Sequence, residues 1–114
     1  MFFYLYRFID KEGKIIYIGR TNNIERRILK EHFTDNTHLP KECYLEAEKI
    51  EYVKVSNESE EVAYEAILIN KIKPKYNVQF KDKGQFQVQL PKFEWKEFQW
   101  KYDGQLKWLK KKKV

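Results

Sequence analysis

An alternation of apolar and polar side chains on both sides of a glycine turn is the feature that most constrains the fold. The alternation runs from Phe2 to Ile9, breaks at Asp10 to Gly13 and resumes from Lys14 to Gly19. Two such segments joined by a short turn predict an antiparallel β-hairpin. If the numbers of paired residues add up to about 23, Tyr6 and Tyr17 stand nearly opposite each other on one face. The chain is therefore expected to begin with a sheet.

A helix is predicted after the hairpin, from Asn22 to about Phe33. Asn22 with Glu25 three residues later has the form of a capping box. The apolar residues of its inner side are Ile24 and Ile28. At ~100° per residue, Arg27 lies nearer to that inner side than Arg26 does. Arg27 is therefore the arginine expected to point inward.

A second helix is predicted from an acidic start at Asn57 to a stop before Pro74. Asn57 with Glu60 again has the form of a capping box. The residues expected on its buried side are Val62, Ala66, Ile69 and Ile72. Glu65 falls beside this apolar side, where an unpaired carboxylate is costly and needs a cation or hydrogen-bond donors.

Further strands, a short helix and a loop are predicted elsewhere from apolar alternation and turn residues. They are a loop from Thr34 to Lys41, a helix from Glu42 to Glu48, and strands from Ile50 to Val55, Gln85 to Leu90 and Phe93 to Tyr102. Asp103-Gly104 is a hairpin-turn signal after the last strand. The final third of the chain is therefore expected to be hairpin-like.

The excess positive charge lies at the C-terminal end. Residues 1–78 hold 13 Lys+Arg and 13 Asp+Glu, whereas residues 79–114 hold 10 lysines and 4 acids, which gives the net charge of +6. All three tryptophans lie in the same final segment. Basic charge neutralises phosphates and flat rings stack on bases, so this segment is a candidate for nucleic-acid attachment. It could equally be a hairpin whose apolar side covers the domain or a partner.

The length of 114 residues suits one domain with an appendage and is too short for two. The single cysteine, Cys43, excludes an intramolecular disulfide and a cysteine-based zinc site. Arg7 and Asp10 interrupt the apolar start long before the ~20 residues that a membrane span needs. We therefore expect a cytoplasmic protein with no membrane association.

Five side chains that suit one kind of chemistry are spread over the first two thirds of the chain. They are Tyr6, Tyr17, Arg27, Glu65 and Asn77. Hydrolysis of a phosphodiester needs a group that activates water, a fixed cation that holds the phosphate, and a carboxylate that holds a metal ion. These side chains supply such groups if they converge. Taken singly, each tyrosine is more often a packing residue, and Arg27 could merely pair with Glu31.

Roughly residues 3–78 resemble a GIY-YIG nuclease domain. The resemblance rests on Tyr17-Ile18-Gly19, on Arg27 eight residues after Gly19, and on Glu65 twelve residues before Asn77. It implies an α+β fold in which a small antiparallel three-stranded sheet is flanked by helices over residues 1–78. Residues 79–114 would then form a basic, aromatic-rich extension.

Two positions depart from the family pattern. Tyr4 stands where the family has the first glycine of its motif, although Tyr6 keeps the motif tyrosine. His32 lies five residues after Arg27, whereas many family members have a histidine four residues after this arginine.

The resemblance also implies a role for each matching residue. Tyr6 and Tyr17 would border the water and the phosphate, and Arg27 would bind the phosphate oxygens. Glu65 would hold one Mg²⁺ or Mn²⁺ ion, and a lone carboxylate suits a cation that keeps most of its waters. The supporting residues would be Gly19, His32 and Asn77. Tyr6 is preferred as the general base with Tyr17 left open, and either phenol needs a pKa below its usual value near 10.

The function expected from this site is hydrolysis of DNA phosphodiesters by a metal-dependent endonuclease, with RNA left open as a substrate. The cations expected to contact nucleic acid are Arg20, Arg26, Lys30, Lys73, Lys75, Lys110, Lys111, Lys112 and Lys113. Two alternatives are a non-cleaving nucleic-acid-binding module on the same fold and a protein-interaction domain that uses the Trp-rich tail. Because 36 residues leave little room for a specificity domain, a homodimer or a targeting protein partner is a further expectation.

Overall fold

A four-stranded antiparallel sheet forms the centre of the protein. The computed structural model describes residues 2–32, 39–77 and 89–99. Its strands are β1 (Phe3–Ile9), β2 (Ile15–Thr21), β3 (Lys49–Val55) and β4 (Lys96–Glu97), in the order β2-β1-β3-β4. The helices are α1 (Ile24–Arg26), which continues into a π-helix here called the π segment (Arg27–His32), α2 (Lys41–Glu46) and α3 (Glu58–Ile72). The predicted α+β class is confirmed, and the sheet has one strand more than expected.

The hairpin of β1 and β2 is confirmed, but its predicted register is wrong by two residues. Tyr6 pairs with Gly19 and Phe8 pairs with Tyr17, so Tyr6 and Tyr17 are diagonal neighbours rather than opposite each other. A shift of two residues keeps every side chain on its own face of the sheet. The two phenol rings therefore remain neighbours, with their centroids 6.1 Å apart.

The turn between β1 and β2 explains the shift. The backbone N–H of Asp10 donates to the carbonyl of Lys14, and the Asp10 carboxylate accepts from the backbone of Glu12 and Lys14. Gly13 supplies the positive φ of 83° that this closed turn requires. The pairing then slips by one more residue between Phe8 and Ile9, which is a bulge that the alternation pattern does not reveal.

The first helix begins one residue later than predicted. Asn23, rather than Asn22, is the N-cap, and its side chain accepts a hydrogen bond from the Arg26 backbone at 3.0 Å. The side chain of Asn22 instead accepts from the Arg26 guanidinium. Strand β2 runs to Thr21, whose hydroxyl bonds both backbone groups of Asn23 and holds that residue extended, as an N-cap requires. The predicted helix end at Phe33 lies outside the described residues.

Helix α3 has the predicted N-cap and the predicted stop. The side chain of Asn57 accepts a hydrogen bond from the Glu60 backbone at 2.9 Å. Lys73 caps the other end in the left-handed conformation, with φ of 54°, immediately before Pro74. The proline cannot continue the helix, so the chain turns here.

The buried side of α3 is rotated relative to the prediction. Its buried residues are Glu61, Tyr64, Leu68 and the predicted Ala66 and Ile69. The predicted Val62 and Ile72 are instead exposed by 38% and 36%. The rotation follows from Glu61, whose carboxylate accepts a hydrogen bond from the Tyr4 backbone and pairs with Arg20. A carboxylate with these partners takes the place expected for an apolar side chain.

The short helix and the third strand are confirmed with small changes of boundary. Helix α2 covers Lys41–Glu46 in place of Glu42 to Glu48, and β3 contains the predicted Ile50 to Val55. Of the predicted loop, residues 34–38 lie outside the described residues, and Lys41 begins α2. No helix in the described ranges is both long enough and apolar enough to span a membrane.

Each face of the sheet carries an apolar core. The alternation in β1 sends Tyr6 and Phe8 towards the π segment and α2, whereas Leu5 faces α3. The first core also contains Ile28, Cys43, Tyr44 and Ile50, and the second contains Ile18, Leu68 and Ile69. The sheet is thus covered on both sides, and Tyr6 is enclosed within the first core.

Part of the C-terminal extension packs on the sheet. The Phe98 backbone donates a hydrogen bond of 2.7 Å to the Ile50 carbonyl, and the Phe98 ring lies in the first core. Trp95 and Phe93 pack on the opposite face, where the Arg7 guanidinium lies 4.1 Å from the centre of the Trp95 ring.

The predicted strands of the extension are largely absent from its described part. The predicted strand from Phe93 to Tyr102 is limited, among residues 89–99, to β4. Trp95 packs in the second core and Phe98 packs in the first core, on the opposite face of the sheet. The apolar side chains of this segment therefore do not stay on one face, as the predicted alternation requires. Gln89 and Leu90 form no strand. Residues 85–88, residues 100–102 and the predicted turn at Asp103-Gly104 lie outside the described residues.

Candidate active site

Two tyrosines of the hairpin lie side by side on the face that carries the first core. Tyr6 is completely buried, whereas Tyr17 is half-buried. The Tyr6 ring covers Gly19 so closely that a Cβ added at Gly19 would lie 2.4 Å from its Cζ and hydroxyl atoms. No real Cβ approaches another atom this closely. The glycine of the Tyr17-Ile18-Gly19 motif is therefore required because the Tyr6 ring occupies the space of a side chain.

His32 is buried and joins Tyr6 to a third tyrosine. Its Nε2 lies 2.6 Å from the Tyr6 hydroxyl, and its Nδ1 lies 2.8 Å from the Tyr44 hydroxyl. The sequence suggests His32 as a supporting residue but gives no sign of Tyr44. The contact joins β1, the π segment and α2, and no local pattern links these three elements.

The π segment explains how His32 reaches Tyr6 from a position five residues after Arg27. In a π-helix the backbone hydrogen bond joins residues i and i+5, so residue i+5 takes the place that i+4 holds in an α-helix. The extra residue between Arg27 and His32 is therefore absorbed by a local widening of the helix. The histidine keeps an inward position despite its altered spacing.

Arg27 lies at the edge of the same cluster. Its side chain is 32% exposed, compared with 50% for Arg26, so the predicted inward arginine is confirmed. Its Nη1 lies 2.6 Å from a carboxylate oxygen of Glu31, which means that the simple i+4 pair also exists. Its Nε is buried and has no hydrogen-bond partner in the described part of the chain.

Glu65 projects from α3 with a side chain that is 13% exposed. The Nε of Arg20 lies 3.4 Å from one of its oxygens. Burial raises the pKa of Glu65 to about 7, although the charges of Arg20 and Arg27 act in the opposite direction. The carboxylate is thus poorly solvated and only partly compensated.

Asn77 connects the end of α3 to the edge of the sheet. Its side chain accepts a hydrogen bond from the Ile18 backbone and donates one to the Ile18 carbonyl, both at 2.8 Å. The Tyr76 backbone donates to the Ile16 carbonyl at 2.9 Å. Residues 76 and 77 therefore complete the outer edge of β2 on either side of Tyr17. Asn77 thus braces β2 beside Tyr17, and its supporting role in the site stays a prediction.

Burial is the main influence on the pKa of both hairpin tyrosines, and the lowered pKa that a general base needs stays a prediction. Burial raises the pKa of Tyr6 well above its usual value, and Arg27 offsets this only in part. Burial also raises the pKa of Tyr17, while a hydrogen bond from Tyr6 and the charge of Arg27 lower it. The charge of Glu65 raises the pKa of Tyr17, so Glu65 and Tyr17 interact electrostatically.

A family model described as the UvrC-like GIY-YIG domain matches residues 4–78 of the chain. The chain belongs to the GIY-YIG nuclease family. Curated relatives include the UvrABC system protein C of Dictyoglomus thermophilum, 37% identical over 84 residues, which cover 72% of this chain and 14% of that protein. The protein of the same name from Treponema denticola is 38% identical over 79 residues, which cover 68% and 12%. The chain thus spans only a small part of the length of these relatives.

Solved structures of the GIY-YIG family share the fold. A point mutant of the GIY-YIG N-terminal endonuclease domain of UvrC from Thermotoga maritima, bound to its catalytic divalent cation, is 37% identical with a TM-score of 0.57. A second point mutant of that domain, also bound to its catalytic divalent cation, is 34% identical with a TM-score of 0.57. Each match covers 68% of this chain and 83% of the solved one.

Several cations expected to contact nucleic acid are held in ion pairs. Arg20, on β2, pairs with two carboxylates of α3: its Nη1 lies 3.3 Å from a Glu61 oxygen and its Nε lies 3.4 Å from a Glu65 oxygen. Arg26 pairs with Glu31, and Lys75 lies 3.1 Å from the Glu46 carboxylate. Lys30 and Lys73 are exposed. Lys110, Lys111, Lys112 and Lys113 lie outside the described residues.

Sequence reasoning also missed the role of Glu61 beside the GIY-YIG site. It assigns Glu61 to the acidic first turn of α3, whereas the carboxylate is 3% exposed and fixes both the Tyr4 backbone and Arg20. The sequence does show that Glu61 lies four residues before Glu65, a spacing that places both carboxylates on one side of the helix.

The donor set at Glu65 fits a hydrated divalent cation. No group of three or more His, Cys, Asp or Glu side chains that could hold a metal ion occurs within the described ranges. Mg²⁺ is commonly bound by one or two carboxylates and keeps several of its waters. A single buried carboxylate whose pKa is raised for want of solvation is therefore suited to such an ion.

Proposed function

We propose that this GIY-YIG domain is an endonuclease that hydrolyses phosphodiester bonds of DNA with the help of one divalent cation, Mg²⁺ or Mn²⁺. The observation that carries the proposal is the match of residues 4–78 to a family whose solved members are bound to a catalytic divalent cation, and the charge of Arg27, which acts on both Tyr17 and Glu65, supports it. A phenol, a guanidinium and a carboxylate in one place supply a base, a phosphate clamp and a metal ligand.

Arg27 is proposed to bind the scissile phosphate. Its Nη1 is fixed by Glu31, and its buried Nε lacks a hydrogen-bond partner among the described residues. A buried donor without a partner is costly, and a phosphate oxygen would satisfy it with a charge-assisted hydrogen bond. The pair with Glu31 would hold the guanidinium in place before the substrate arrives.

Tyr17 is proposed as the group that takes a proton from the attacking water. The sequence leaves either tyrosine as the base, with Tyr6 preferred. Burial favours Tyr17, because Tyr6 is fully enclosed and its hydroxyl is engaged by His32 at 2.6 Å. Tyr17 is partly accessible and lies within the electrostatic range of both Arg27 and Glu65.

Glu65 is proposed to hold the cation. When bound, a divalent cation stabilises charge on the phosphate and on the leaving oxygen. The solved UvrC domains are bound to their catalytic divalent cation, and this likeness supports a similar requirement here. Gly19 and Asn77 would support the site by accommodating the Tyr6 ring and by bracing β2.

The proposal is tested by nicking of supercoiled plasmid DNA with and without Mg²⁺ or Mn²⁺. The wild-type protein should cut only when a divalent cation is present. Glu65→Gln and Arg27→Ala should each reduce the rate by roughly 10²-fold or more, because each removes a group that stabilises charge in the transition state. Glu58→Gln, an exposed carboxylate change on the same helix, is the matched control and should cut like the wild type.

Unchanged cutting by Glu65→Gln would defeat the metal-ligand assignment, and unchanged cutting by Arg27→Ala would defeat the phosphate clamp. DNA binding without cutting by the wild type on duplex, branched and single-stranded substrates, and on RNA, would favour the non-cleaving module. Comparison of the cut substrates in the same panel identifies the substrate structure.

A further inference from the structure

Three buried side chains form a continuous series behind Tyr17. Tyr44, His32 and Tyr6 are exposed by 1%, 0% and 0%. The two oxygen–nitrogen distances in the series, 2.8 and 2.6 Å, are those of hydrogen bonds. The Tyr6 ring then lies 6.1 Å from the ring of Tyr17, which is the outermost member of the series.

With a neutral imidazole, the two hydrogen bonds of His32 can run in only two directions. One ring nitrogen carries a proton and donates, and the other accepts. If Nε2 carries the proton, His32 donates to Tyr6 and accepts from Tyr44. If Nδ1 carries it, His32 donates to Tyr44 and accepts from Tyr6.

The pair of hairpin tyrosines selects between these orders. The Tyr6 ring lies beside the half-buried Tyr17 ring, with 6.1 Å between the ring centroids, and only a protonated Nε2 leaves the single Tyr6 proton free to be donated to Tyr17. In that order the Tyr6 oxygen offers a lone pair to His32, and Nε2 is the donor. Nδ1 is left as an acceptor, and the Tyr44 hydroxyl lies where its donor must be.

We propose that Tyr44 is a positioning residue that holds His32 in its Nε2–H tautomer, so that hydrogen bonds run in one direction from Tyr44 through His32 and Tyr6 to Tyr17. This inference rests on the proposed function for its catalytic consequence. The order of the hydrogen bonds can be measured independently of that function.

A directed series of donors stabilises negative charge at its end, because each hydrogen bond polarises the next. After Tyr17 has released its own proton to solvent, the phenolate takes a proton from the attacking water while the water oxygen forms its bond to phosphorus. The bond to the leaving oxygen breaks with its electron pair on that oxygen, which then takes a proton from solvent. No proton moves inward to His32 in this step. Among the residues that the structure describes, Arg27, Glu65 and Cys43 are further ionisable groups whose charges act on Tyr17.

The tautomer is measured by long-range ¹⁵N–¹H correlation spectra of the full chain labelled at histidine. The chain has two histidines, so a His38→Gln variant assigns the His32 signals. We expect a protonated Nε2 and an unprotonated Nδ1 in the wild type. An Nδ1–H tautomer in the wild type would overturn the proposal, and this measurement needs no substitution that could unfold the protein.

Tyr44→Phe removes the donor to Nδ1 and leaves the ring. The Nε2–H signal should give way to Nδ1–H or to a mixture, and the cleavage rate at saturating plasmid should fall by roughly 10–100-fold, the usual effect of losing an orienting partner. DNA binding should not change, since Tyr44 is buried. Tyr64→Phe is the matched control, because it removes a tyrosine hydroxyl that bonds Glu60 outside the series.

An unchanged tautomer and an unchanged rate in Tyr44→Phe would refute the positioning role. If the wild type shows the Nε2–H tautomer but does not cut nucleic acid, the hydrogen-bond order stands and the proposed nuclease function fails. The two failures are therefore distinguishable.

Discussion

Glu65 is the residue whose proposed catalytic charge most directly opposes the stability of the folded protein. Its pKa in the folded protein is about 7, against 4.5 for an ordinary glutamate, and burial is the main cause. Between these two values the folded state binds more protons than the unfolded state does. The contribution of Glu65 to stability is therefore greatest below its unfolded-state pKa of 4.5 and is lost as the pH rises towards 7, because the folded state must then accommodate a poorly solvated charge.

The change Glu65→Gln should remove this pH dependence. Without a divalent cation, the variant and the wild type should have similar unfolding free energies at pH 4, and the variant should be more stable by roughly 3 kcal/mol at most at pH 8. Urea unfolding at a series of pH values measures the difference. Mg²⁺ at pH 8 should stabilise the wild type only. Parallel pH curves for the two proteins would contradict the buried-charge account.

The sequence identifies Glu65 and Arg27 because helical periodicity locates residues relative to an apolar side. It does not identify Tyr44 or the buried role of Glu61, because their partners come from other elements. The sequence therefore predicts the position of those side chains that depend on a single helix. It does not predict hydrogen bonds that only the assembled sheet and helices bring together.

At the scale of elements, the π segment keeps His32 at Tyr6 although one residue separates this chain from the four-residue spacing of many family members. A π-helical turn is rare compared with an α-helical one and is frequently found at functional sites. The contacts of His32 with Tyr6 and Tyr44 stabilise it here. The sequence predicts a helix over these residues but cannot predict its type, because those contacts are distant along the chain.

Deletion of Lys30 tests this account. Lys30 is exposed within the π segment, and its removal brings Arg27 and His32 to the four-residue spacing that an α-helix accommodates. We expect an α-helix throughout, a preserved contact of His32 with Tyr6, and plasmid cutting within about tenfold of the wild type. A crystal structure and the nicking assay provide the two measurements.

Deletion of Ala63 from α3 is the control for the Lys30 deletion. That helix is α-helical throughout, so losing one residue turns its first residues by ~100° relative to Glu65 and displaces Glu61 from Arg20. This variant should be strongly destabilised. If deletion of Lys30 is equally damaging, the π segment does more than absorb an extra residue.

The register of the hairpin shows a similar limit of prediction. Alternation fixed which face each tyrosine occupies, and that part is confirmed. The pairing itself depends on the Asp10 turn and on the bulge after Phe8, which are set by hydrogen-bond geometry rather than by apolar pattern. The two phenols are neighbours in either register because the error was an even number of residues.

At the scale of the whole molecule, the described part of the C-terminal extension contributes to the fold. Phe98 closes the first core beside Ile50 and Tyr52, and Trp95 covers Arg7 on the other face. Composition identifies this segment as basic and aromatic but leaves open whether its rings stack on bases or pack on the domain. Phe93, Trp95 and Phe98 pack on the domain, because β4 pairs with the edge of β3 and the sheet carries an apolar core on each face.

Phe98→Ala measures how much the extension stabilises the domain. Phe98 is 7% exposed, and removal of a buried phenylalanine ring typically costs about 3–5 kcal/mol in unfolding free energy. Urea unfolding should show a loss in this range, whereas Gln99→Ala, an exposed neighbour, should stay within about 0.5 kcal/mol of the wild type. Because Phe98 belongs to the core that encloses Tyr6, loss of stability should be accompanied by faster hydrogen exchange in β1. If Phe98→Ala unfolds at the wild-type urea concentration, the extension is an independent appendage, and its contact with β3 contributes nothing to holding the tyrosines in place.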